Sequence, residues 1–459
     1  MKAFLGAAAL AMASLFASSS ASAGDAIVDT MGETFVAGLP DDIGVERGAW
    51  EFLDVLDCYL NGDSCFGNNP SSPYGYTRFR GLVSMKLGVS EAVVIFMRTP
   101  PPSRYFGFTQ YLVRRGRSPR QVLASLSDSL NQLNFSTLQS NAPGDQVFNQ
   151  YAVLVWTADL NTLARVKTQL AAQGIPEAKV NFMPMPIGLP LNMGYGPDDD
   201  SFSILMRMAM PVVQAELDQY RLDSPFFAVK VSPRTPPPVS PAPIIGYRSE
   251  LSGISEVATY GAALDSLVRD IKARYARSYA LRTQNVSYIS ALGFECIAGT
   301  AICTLDTHDG LYANDLSQLS YKVTNLKDIV LIAGVNHQRT GKALYVNHTV
   351  NDVAKQTGII SVDDPALTTG SALYHAGVTS PDDPRVQRYE KLYAYAVSYD
   401  CSGLQYCMQI PAPTPENPIG LLPGSPFGLY ERSYVDPMTG VRPSQQEIVK
   451  HQVLIGRKK

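Results

Sequence analysis

The chain has 459 residues, which is enough for a sizeable core and for two or more domains. Charged residues make up only 17% of it and apolar residues 45%, whereas an average protein is roughly 25% charged. The 38 basic residues nearly balance the 41 acidic ones. This composition excludes a small disulfide-stapled miniprotein and disfavours both a disordered chain and a nucleic-acid partner.

Residues 1–23 have the pattern of a secretory signal peptide. Lys2 gives the positive start, residues 3–17 are apolar, and Ala21 and Ala23 form the small-residue cleavage pattern. The apolar stretch is too short for a permanent membrane helix, and no later stretch reaches 18 apolar residues without a charge. We therefore expect cleavage after Ala23, a periplasmic or extracellular location, and no integral membrane segment in the mature protein.

The six cysteines fall in three close pairs that flank turn-forming residues. The pairs are Cys58 with Cys65, Cys296 with Cys303, and Cys401 with Cys407. Short loops close most readily, so the spacing predicts three local disulfides. The alternative, thiolate ligation of a metal, is disfavoured because no pair has the CxxC spacing and because an exported protein meets oxidants.

The first half begins with two predicted strands and continues with a βαβ unit. The apolar run 92–98 and the alternating run 105–113 predict a hairpin. Further along, 151–157 reads as a buried strand, 158–172 has helical spacing, and 179–183 returns to strand. Together these segments predict a βαβ unit in a mixed sheet.

A Pro-rich stretch marks the clearest internal boundary. Six prolines fall between Pro233 and Pro243, where neither a helix nor a central strand can form. We predict an N-terminal α+β domain over 24–231, a linker over 232–243 and a C-terminal α+β domain over 244–459 that holds two of the disulfide loops. The alternative is a Pro-rich segment wrapped over one large domain.

The second half opens on the strongest helical pattern, over 255–277. Strands are then predicted at 328–335, 343–350 and 391–399, the first two paired across a turn at Thr340 and Gly341. The fold class is therefore α+β, with one long helix and a mostly antiparallel sheet in the second half.

Several catalytic and cofactor motifs are absent. The sequence has no GxSxG, no HExxH and no GxGxxG. The stretch 334–342 also fails as a phosphate loop, because it lacks the required glycine spacing and the residue after Lys342 is alanine. We therefore expect no cofactor.

Scarce residues in the second half supply the candidate site. Asp306, His308, Asp309 and Tyr312 crowd one Gly-containing turn. A carboxylate beside an imidazole could form a general acid/base pair, and the same oxygens could bind a divalent cation. An ordinary Asx turn is the structural alternative.

His337 and His348 suggest a metal pair, which the predicted hairpin excludes. In that register the two imidazoles share a face but lie about 13 Å apart at ~3.3 Å per residue. His337 is more promising alone, because Lys342 and Arg339 nearby could receive an anionic group.

Two hypotheses follow. The first is an exported hydrolase or lyase in which His308 or His337 accepts a proton, Asp306 or Asp309 orients it, Tyr312 assists, and Lys342 steadies negative charge. The second is a non-catalytic binding or cell-envelope protein that holds a small molecule, a polymer or a partner on surfaces rich in Tyr and Pro.

Overall fold

The computed structural model of the protein describes residues 24–61, 65, 67–118, 121–236, 238–301, 303, 305–314, 321 and 323–459. The predicted signal peptide lies outside these ranges. The helices are α1 (Ala26–Ala37), α2 (Val55–Asn61), α3 (Leu160–Ala172), α4 (Gln214–Asp223), α5 (Val257–Tyr275), α6 (Gly293–Ile297), α7 (His337–Thr340), α8 (Thr369–Ala376) and α9 (Arg385–Arg388). Among the helices of the described chain, none combines the length and the apolar character that crossing a membrane requires.

The strands divide between the two halves of the chain. Those of the first half, 24–231, with the last strand running two residues past it, are β1 (Ile43–Phe52), β2 (Tyr74–Arg78), β3 (Ala92–Arg98), β4 (Ser103–Arg114), β5 (Gln121–Ser125), β6 (Leu130–Asn131), β7 (Tyr151–Thr157), β8 (Val180–Pro184), β9 (Ser201–Pro211) and β10 (Phe226–Pro233). Those of the second half, 244–459, are β11 (Tyr279–Gln284), β12 (Ser287–Ile289), β13 (Gly310–Asn314), β14 (Ile329–Val335), β15 (Tyr345–Asp352), β16 (Thr357–Asp363), β17 (Leu392–Ser398), β18 (Cys407–Gln409), β19 (Phe427–Tyr434) and β20 (Gln452–Lys458).

The first half builds one mixed, curled sheet of ten strands. Their order is β5-β4-β9-β2-β1-β10-β3-β7-β8, with β6 beside β4. The predicted βαβ unit is confirmed, because β7 and β8 pair in parallel and α3 connects them. Asp159 caps α3 by accepting hydrogen bonds from the backbone N–H groups of Asn161 and Thr162.

The predicted hairpin of β3 and β4 is wrong. β3 pairs with β10 and β7, whereas β4 pairs with β9, β5 and β6. Three prolines, Pro100 to Pro102, join the two strands, and such a run favours an extended connection over a tight turn. β3 is also buried along almost its whole length, as a strand between two neighbours must be.

The second half contains one long helix and two five-stranded sheets instead of one sheet. Their orders are β11-β20-β14-β17-β18 and β12-β13-β19-β15-β16, antiparallel except for β17 with β18. Val330 and Ile332 pack between the sheets with Val346, while the alternate residues Leu331 and Ala333 pack under α5 and α8. The layers are therefore helices, sheet and sheet.

The predicted hairpin of β14 and β15 is also wrong, since the two strands belong to different sheets. Asn336 accepts hydrogen bonds from the N–H groups of Gln338 and Arg339, at 3.1 and 3.2 Å, and starts the helical turn α7. Gly341 ends α7 in the left-handed region, with a φ of 82°. This turn carries the chain from one sheet to the other.

The three predicted disulfides are confirmed. Each joins neighbouring segments of one half, and two of the loops that they close pack in the core of the other half. Cys58 and Cys65, from the first half, pack in the core between the second-half sheets. Cys296 and Cys303, from the second half, pack in the core of the first-half sheet. Each half therefore lends a disulfide-closed loop to the core of the other.

The two halves also contact each other at two other points. A Cβ at Gly293 would lie 1.6 Å from the carbonyl oxygen of Ser125, so only glycine allows α6 to touch β5 there. The Pro-rich stretch bonds to the first half, where Leu160 N–H donates to the Ser240 carbonyl and Ala242 N–H donates to the Ala158 carbonyl, both at 2.7 Å. The domain boundaries at 231 and 244 stay predictions.

Candidate functional site

His308 lies buried between two carboxylates. Its Nδ1 is 3.1 Å from Asp128 Oδ1, and its Nε2 is 3.5 Å from Glu250 Oε1. Burial lowers the pKa of the imidazole, but hydrogen bonds to both carboxylates outweigh that effect and raise the pKa above its usual value. Because His308 is only 1% exposed, a proton held there stays inside an ion-pair cluster.

The carboxylates of Asp306 and Asp309 are both hydrogen-bonded to residues of the first half. Asp306 accepts hydrogen bonds from the N–H and the hydroxyl of Ser125. Asp309 accepts from the hydroxyl of Tyr105 at 2.9 Å and from Asn131 Nδ2 at 2.6 Å. Burial raises the pKa of Asp309 to about 6. The turn thus joins the halves of the molecule and offers no free carboxylate.

Tyr312 faces another phenol. Its hydroxyl lies 3.0 Å from that of Tyr434, and burial raises its pKa to about 12. The group is therefore neutral near pH 7, and Tyr434 is its partner.

Lys342 forms the centre of a second buried cluster. Its Nζ lies 2.6 Å from Asp436 Oδ2, 2.8 Å from Glu447 Oε2 and 2.6 Å from the hydroxyl of Ser252. These carboxylates raise its pKa despite the opposing effect of burial, which is the largest single contribution. All three ammonium protons are thus directed at partners of this chain.

His337 lies in a third cluster, with Glu256 and Glu431. Its Nδ1 is 2.7 Å from Glu256 Oε2, and its Nε2 is 3.5 Å from Glu431 Oε1. Burial lowers its pKa, but the two carboxylates prevail and raise it to about 10. His337 is therefore held as a charged imidazolium within the core.

The sequence-based separation of His337 and His348 is wrong, because it assumed a hairpin that does not form. Both Nε2 atoms approach Glu431 Oε1, at 3.5 and 4.0 Å. His451 joins the same carboxylate, with its Nδ1 at 2.6 Å from Oε2. Burial lowers the pKa of His348 to about 3, so that imidazole is neutral. Across the described ranges, no group of three or more His, Cys, Asp or Glu side chains is arranged to hold a metal ion.

One extended segment, residues 247–256, covers all three clusters, and we call it the strap. Arg248 pairs with Asp128 and Glu250 with His308, while Ser252 binds Lys342 and Glu256 binds His337. The strap therefore lies over both the 306–312 turn and the 337–342 turn.

Sequence reasoning missed the partners that complete these clusters. They are Asp128, Glu250, Glu256, Glu431, Asp436, Glu447 and His451. One local signal was available. The polar residues Arg248, Glu250 and Ser252 alternate with outward residues such as Leu251, which is 55% exposed.

Two cavities of the described structure lie elsewhere. The first, of about 360 Å³, opens beside the end of α5, and we call it the cationic cavity. Its lining includes Arg274, Tyr275, Tyr279, Lys327, Tyr374, Asp400, Lys458 and residues 402–404 of the Cys401–Cys407 loop. None of the six predicted catalytic residues lines it.

Three cations of this cavity have no carboxylate of the described chain within salt-bridge distance. In the part of the chain that the structure describes, Arg274, Lys327 and Lys458 form no ion pair or side-chain hydrogen bond. Arg274 lies over the ring of Tyr374, 4.5 Å from its centroid, and Lys458 lies over Tyr279 at 4.7 Å. Ring contacts do not neutralise a charge, and the one carboxylate of the lining, Asp400, interacts with Lys327 from beyond salt-bridge distance. Three cations against one carboxylate leave the lining with a net charge of +2 (3 − 1), so the cavity has a positive potential.

The lining residue Tyr275 is hydrogen-bonded to a buried, neutral histidine. His375 Nδ1 is 2.8 Å from the hydroxyl of Tyr275, and its Nε2 is 3.3 Å from the carbonyl oxygen of Tyr406. Burial lowers the pKa of His375 to about 4. Burial also raises the pKa of Tyr275 to about 12, so its hydroxyl stays protonated.

The second cavity, of about 370 Å³, lies at the junction of the two halves, and we call it the junction cleft. Its amide and hydroxyl groups are largely used inside the protein. Asn69 bonds to Tyr345 and Asn347, and Ser71 bonds to Asp363. The Asn69 and Ser71 groups of the junction cleft are therefore already used within the protein.

Fold and contacts define a mixed α+β protein with three sheets and reciprocal disulfide loops. No family model and no curated protein matches the chain. Among solved structures, an uncharacterised protein from Burkholderia cenocepacia aligns with a TM-score of 0.38 and 10% identity over 94% of each chain. A protein from Vibrio parahaemolyticus aligns with a TM-score of 0.37 and 10% identity, over 94% of this chain and 100% of that one. Scores this low carry no argument.

Proposed function

We propose that this is an exported, non-catalytic binding protein whose ligand is a small molecule with a doubly charged oxyanion group, held in the cationic cavity. The observation that carries the proposal is the excess of positive charge around one cavity of about 360 Å³, where Arg274, Lys327 and Lys458 have no carboxylate within salt-bridge distance in the described chain and only one carboxylate joins them in the lining. That volume is typical of small-molecule sites, which measure roughly 300 to 1,000 Å³.

The cavity offers complementary chemistry for such a ligand. Arg274 supplies a planar fork suited to phosphate or carboxylate oxygens, and the two lysines supply point charges. Tyr275 and Tyr374 add ring faces against which an apolar body can pack. Asp400, the one carboxylate of the lining, accepts a hydrogen bond from the N–H of Ser402, and its bonding to Ser402 together with the nearby charge of Lys327 lowers its pKa.

Burial of the predicted catalytic residues supports binding over catalysis. His308, His337 and Lys342 are each at most 3% exposed, and each is matched by carboxylates of the chain. A substrate could reach them only after the strap had left its ion pairs. Hydrolase or lyase chemistry at these residues stays a prediction that requires this opening.

Export is supported by the cysteines and by the leader pattern. All six cysteines are paired, as they are in proteins that mature in an oxidising compartment. The intact mass of natively isolated protein tests this proposal. We expect a chain that starts at Gly24 and takes up no alkylating reagent without reduction, whereas a retained leader or free thiols would contradict export.

Isothermal titration calorimetry with phenyl phosphate tests the ligand site. We expect binding of phenyl phosphate and none of benzyl alcohol, which has the ring without the charge. Lys458→Met and Lys327→Met should each weaken binding about tenfold, the effect of one lost charge-assisted hydrogen bond.

Lys272→Met is the matched control. Lys272 lies on α5 as Arg274 does, but its Nζ bonds to Thr283 and does not line the cavity. This variant should bind phenyl phosphate like the native protein. If phenyl phosphate fails to bind at millimolar concentration, or if the cavity variants bind it as well as the control, the proposal is wrong.

A further inference from the structure

The junction cleft runs along one face of α4. Gln214, Leu217 and Arg221 all line it, and their spacing of three and four residues places them on the same side of the helix. At about 1.5 Å of rise per residue, the distance along the helix from Gln214 to Arg221 is roughly 10 Å. The cleft is therefore elongated, and its volume of about 370 Å³ suits a slender molecule.

The two halves of the protein meet at the floor of the cleft, where their backbones are in close contact. A Cβ at Gly358 of β16 would lie 2.4 Å from the carbonyl oxygen of Asn68, so only glycine allows this approach. The N–H of Gly358 also donates to Asn68 Oδ1 at 2.9 Å. The floor is thus held in place by contacts of the protein itself, before any ligand enters.

Aliphatic side chains and prolines form much of the wall of the cleft. The aliphatic ones come from both halves and are Leu53, Val55, Leu217, Ile359 and Ile419. Leu217 belongs to the core of the first-half sheet, whereas Ile359 belongs to the core between the second-half sheets. An alkyl chain in the cleft would therefore continue both cores and remove apolar surface from water.

Arg221 is the one charged residue among those that line the cleft. In the described chain its guanidinium forms no hydrogen bond, and its one ion pair is with Asp218, at 4.0 Å on the same helix. Asp218 also accepts from Gln214 Nε2 at 2.9 Å. The side chains of Arg221 and Asp218 are 40% and 53% exposed, and such a surface pair contributes little to stability. The planar fork of Arg221 is thus available to a better-placed carboxylate.

We infer that the junction cleft binds an aliphatic monocarboxylate of medium chain length, with its carboxylate on Arg221 and its alkyl chain between the two cores. One cation in the lining matches one negative charge, which distinguishes this ligand from the doubly charged one of the cationic cavity. The aliphatic wall favours an alkyl body over a polar one, because Asn69 and Ser71 already bond within the protein. The limited volume disfavours a lipid with two chains.

Isothermal titration calorimetry with octanoate and with octanol tests the inference. We expect octanoate to bind the native protein, and octanol to bind more weakly because it has the chain without the charge. Arg221→Met should weaken octanoate binding about tenfold, the effect of one lost charge-assisted hydrogen bond, and should leave octanol binding unchanged. Arg221 is exposed, so we expect this variant to fold.

Two control variants show where octanoate binds. Arg117→Met removes another exposed arginine of the first half, one that pairs with Asp198 and does not line the cleft. Lys458→Met removes a cation of the cationic cavity. Both variants should bind octanoate like the native protein. No octanoate binding at millimolar concentration, or an equal loss in Arg221→Met and either control, would overturn the inference.

A crystal structure of the native protein with octanoate that carries a bromine at the end of its chain gives an independent readout. We expect an anomalous bromine peak inside the junction cleft. Bromine peaks on the protein surface alone, or in the cationic cavity alone, would overturn the inference. Phenyl phosphate binding to the cationic cavity does not depend on Arg221, so the two sites are tested separately.

Discussion

Two regions of the molecule concentrate charge, and they treat it in opposite ways. Under the strap, Lys342 and His337 are buried and each is matched by two carboxylates. In the cationic cavity, Arg274, Lys327 and Lys458 border open space with no carboxylate of the described chain within salt-bridge distance and only Asp400 beside them in the lining. Matched charges hold a structure together, whereas unmatched charges at a cavity leave interaction energy available for a ligand.

The contrast also changes which residues are the better candidates for a functional role. Scarce and reactive residue types first drew attention to the region that the structure uses as a polar core. The residues of the cationic cavity whose charged groups form no ion pair in the described chain are common surface types, two lysines and an arginine. Availability of a side chain, more than its chemical type, separates the two regions.

The largest effect should come from breaking a matched cluster. Lys342→Met leaves Asp436 and Glu447 buried without their cation, and it should lower the free energy of unfolding by about 3 to 5 kcal/mol. Urea unfolding measures this change. Lys167→Met is the control, because its partner Glu177 is exposed and such pairs contribute about 0 to 1 kcal/mol. Equal losses in the two variants would show that the strap clusters are not structural.

Two buried histidines should respond to pH in opposite directions. Since the pKa of His375 is lowered to about 4 in the folded protein, its contribution to stability is present above ~6.5 and is lost as pH falls toward 4. The full change is about 3 kcal/mol at ~1.4 kcal/mol per pH unit. The pKa of His337 is raised to about 10, so its contribution is present below ~6.5 and is lost as pH rises through 10.

Variants separate these histidines from the other titrating groups. Unfolding free energies measured from pH 4 to pH 10 should show a shallower acid-side slope in His375→Gln, with the remainder due to His348, and a shallower alkaline-side slope in His337→Gln. Both slopes unchanged in both variants would contradict the assigned charge states.

The disulfide in the core and the disulfide beside the cationic cavity should affect different properties, the first stability and the second ligand affinity. Replacing Cys296 and Cys303 by Ser should cost about 2 to 3 kcal/mol of stability and leave phenyl phosphate affinity unchanged, because that loop packs in a core. Replacing Cys401 and Cys407 should weaken the affinity several-fold, because residues 402–404 form a wall of the cationic cavity. Calorimetry and urea unfolding on both double variants measure the split, and a reversed pattern would break the comparison.

Local patterns predicted local structure well. The strands at 92–98 and 151–157, the helix capped by Asp159 and the three disulfides all depend on short-range chemistry. Which strands pair with one another depends on segments that lie far apart in the sequence, and for that reason both predicted hairpins were wrong. The predicted strand 343–350 was nearly correct in extent, but β14 between β17 and β20 leaves it no neighbouring place.

The same limit applies to the sites. His308, His337 and Lys342 were found because their residue types are scarce or reactive. Their partners Asp128 and Glu431 come from remote segments that no spacing rule connects to them. The cationic cavity joins the end of a helix, a loop and the last strand, so no window of sequence could display it.

The most direct test of the account is a crystal structure of the native protein grown with phenyl phosphate near its solution dissociation constant. The account predicts the phosphate between Arg274, Lys327 and Lys458, with the strap in place over His308 and Lys342. Phenyl phosphate bound instead beside His308 or Lys342, beneath a displaced strap, would contradict it and would return the catalytic hypothesis to first place.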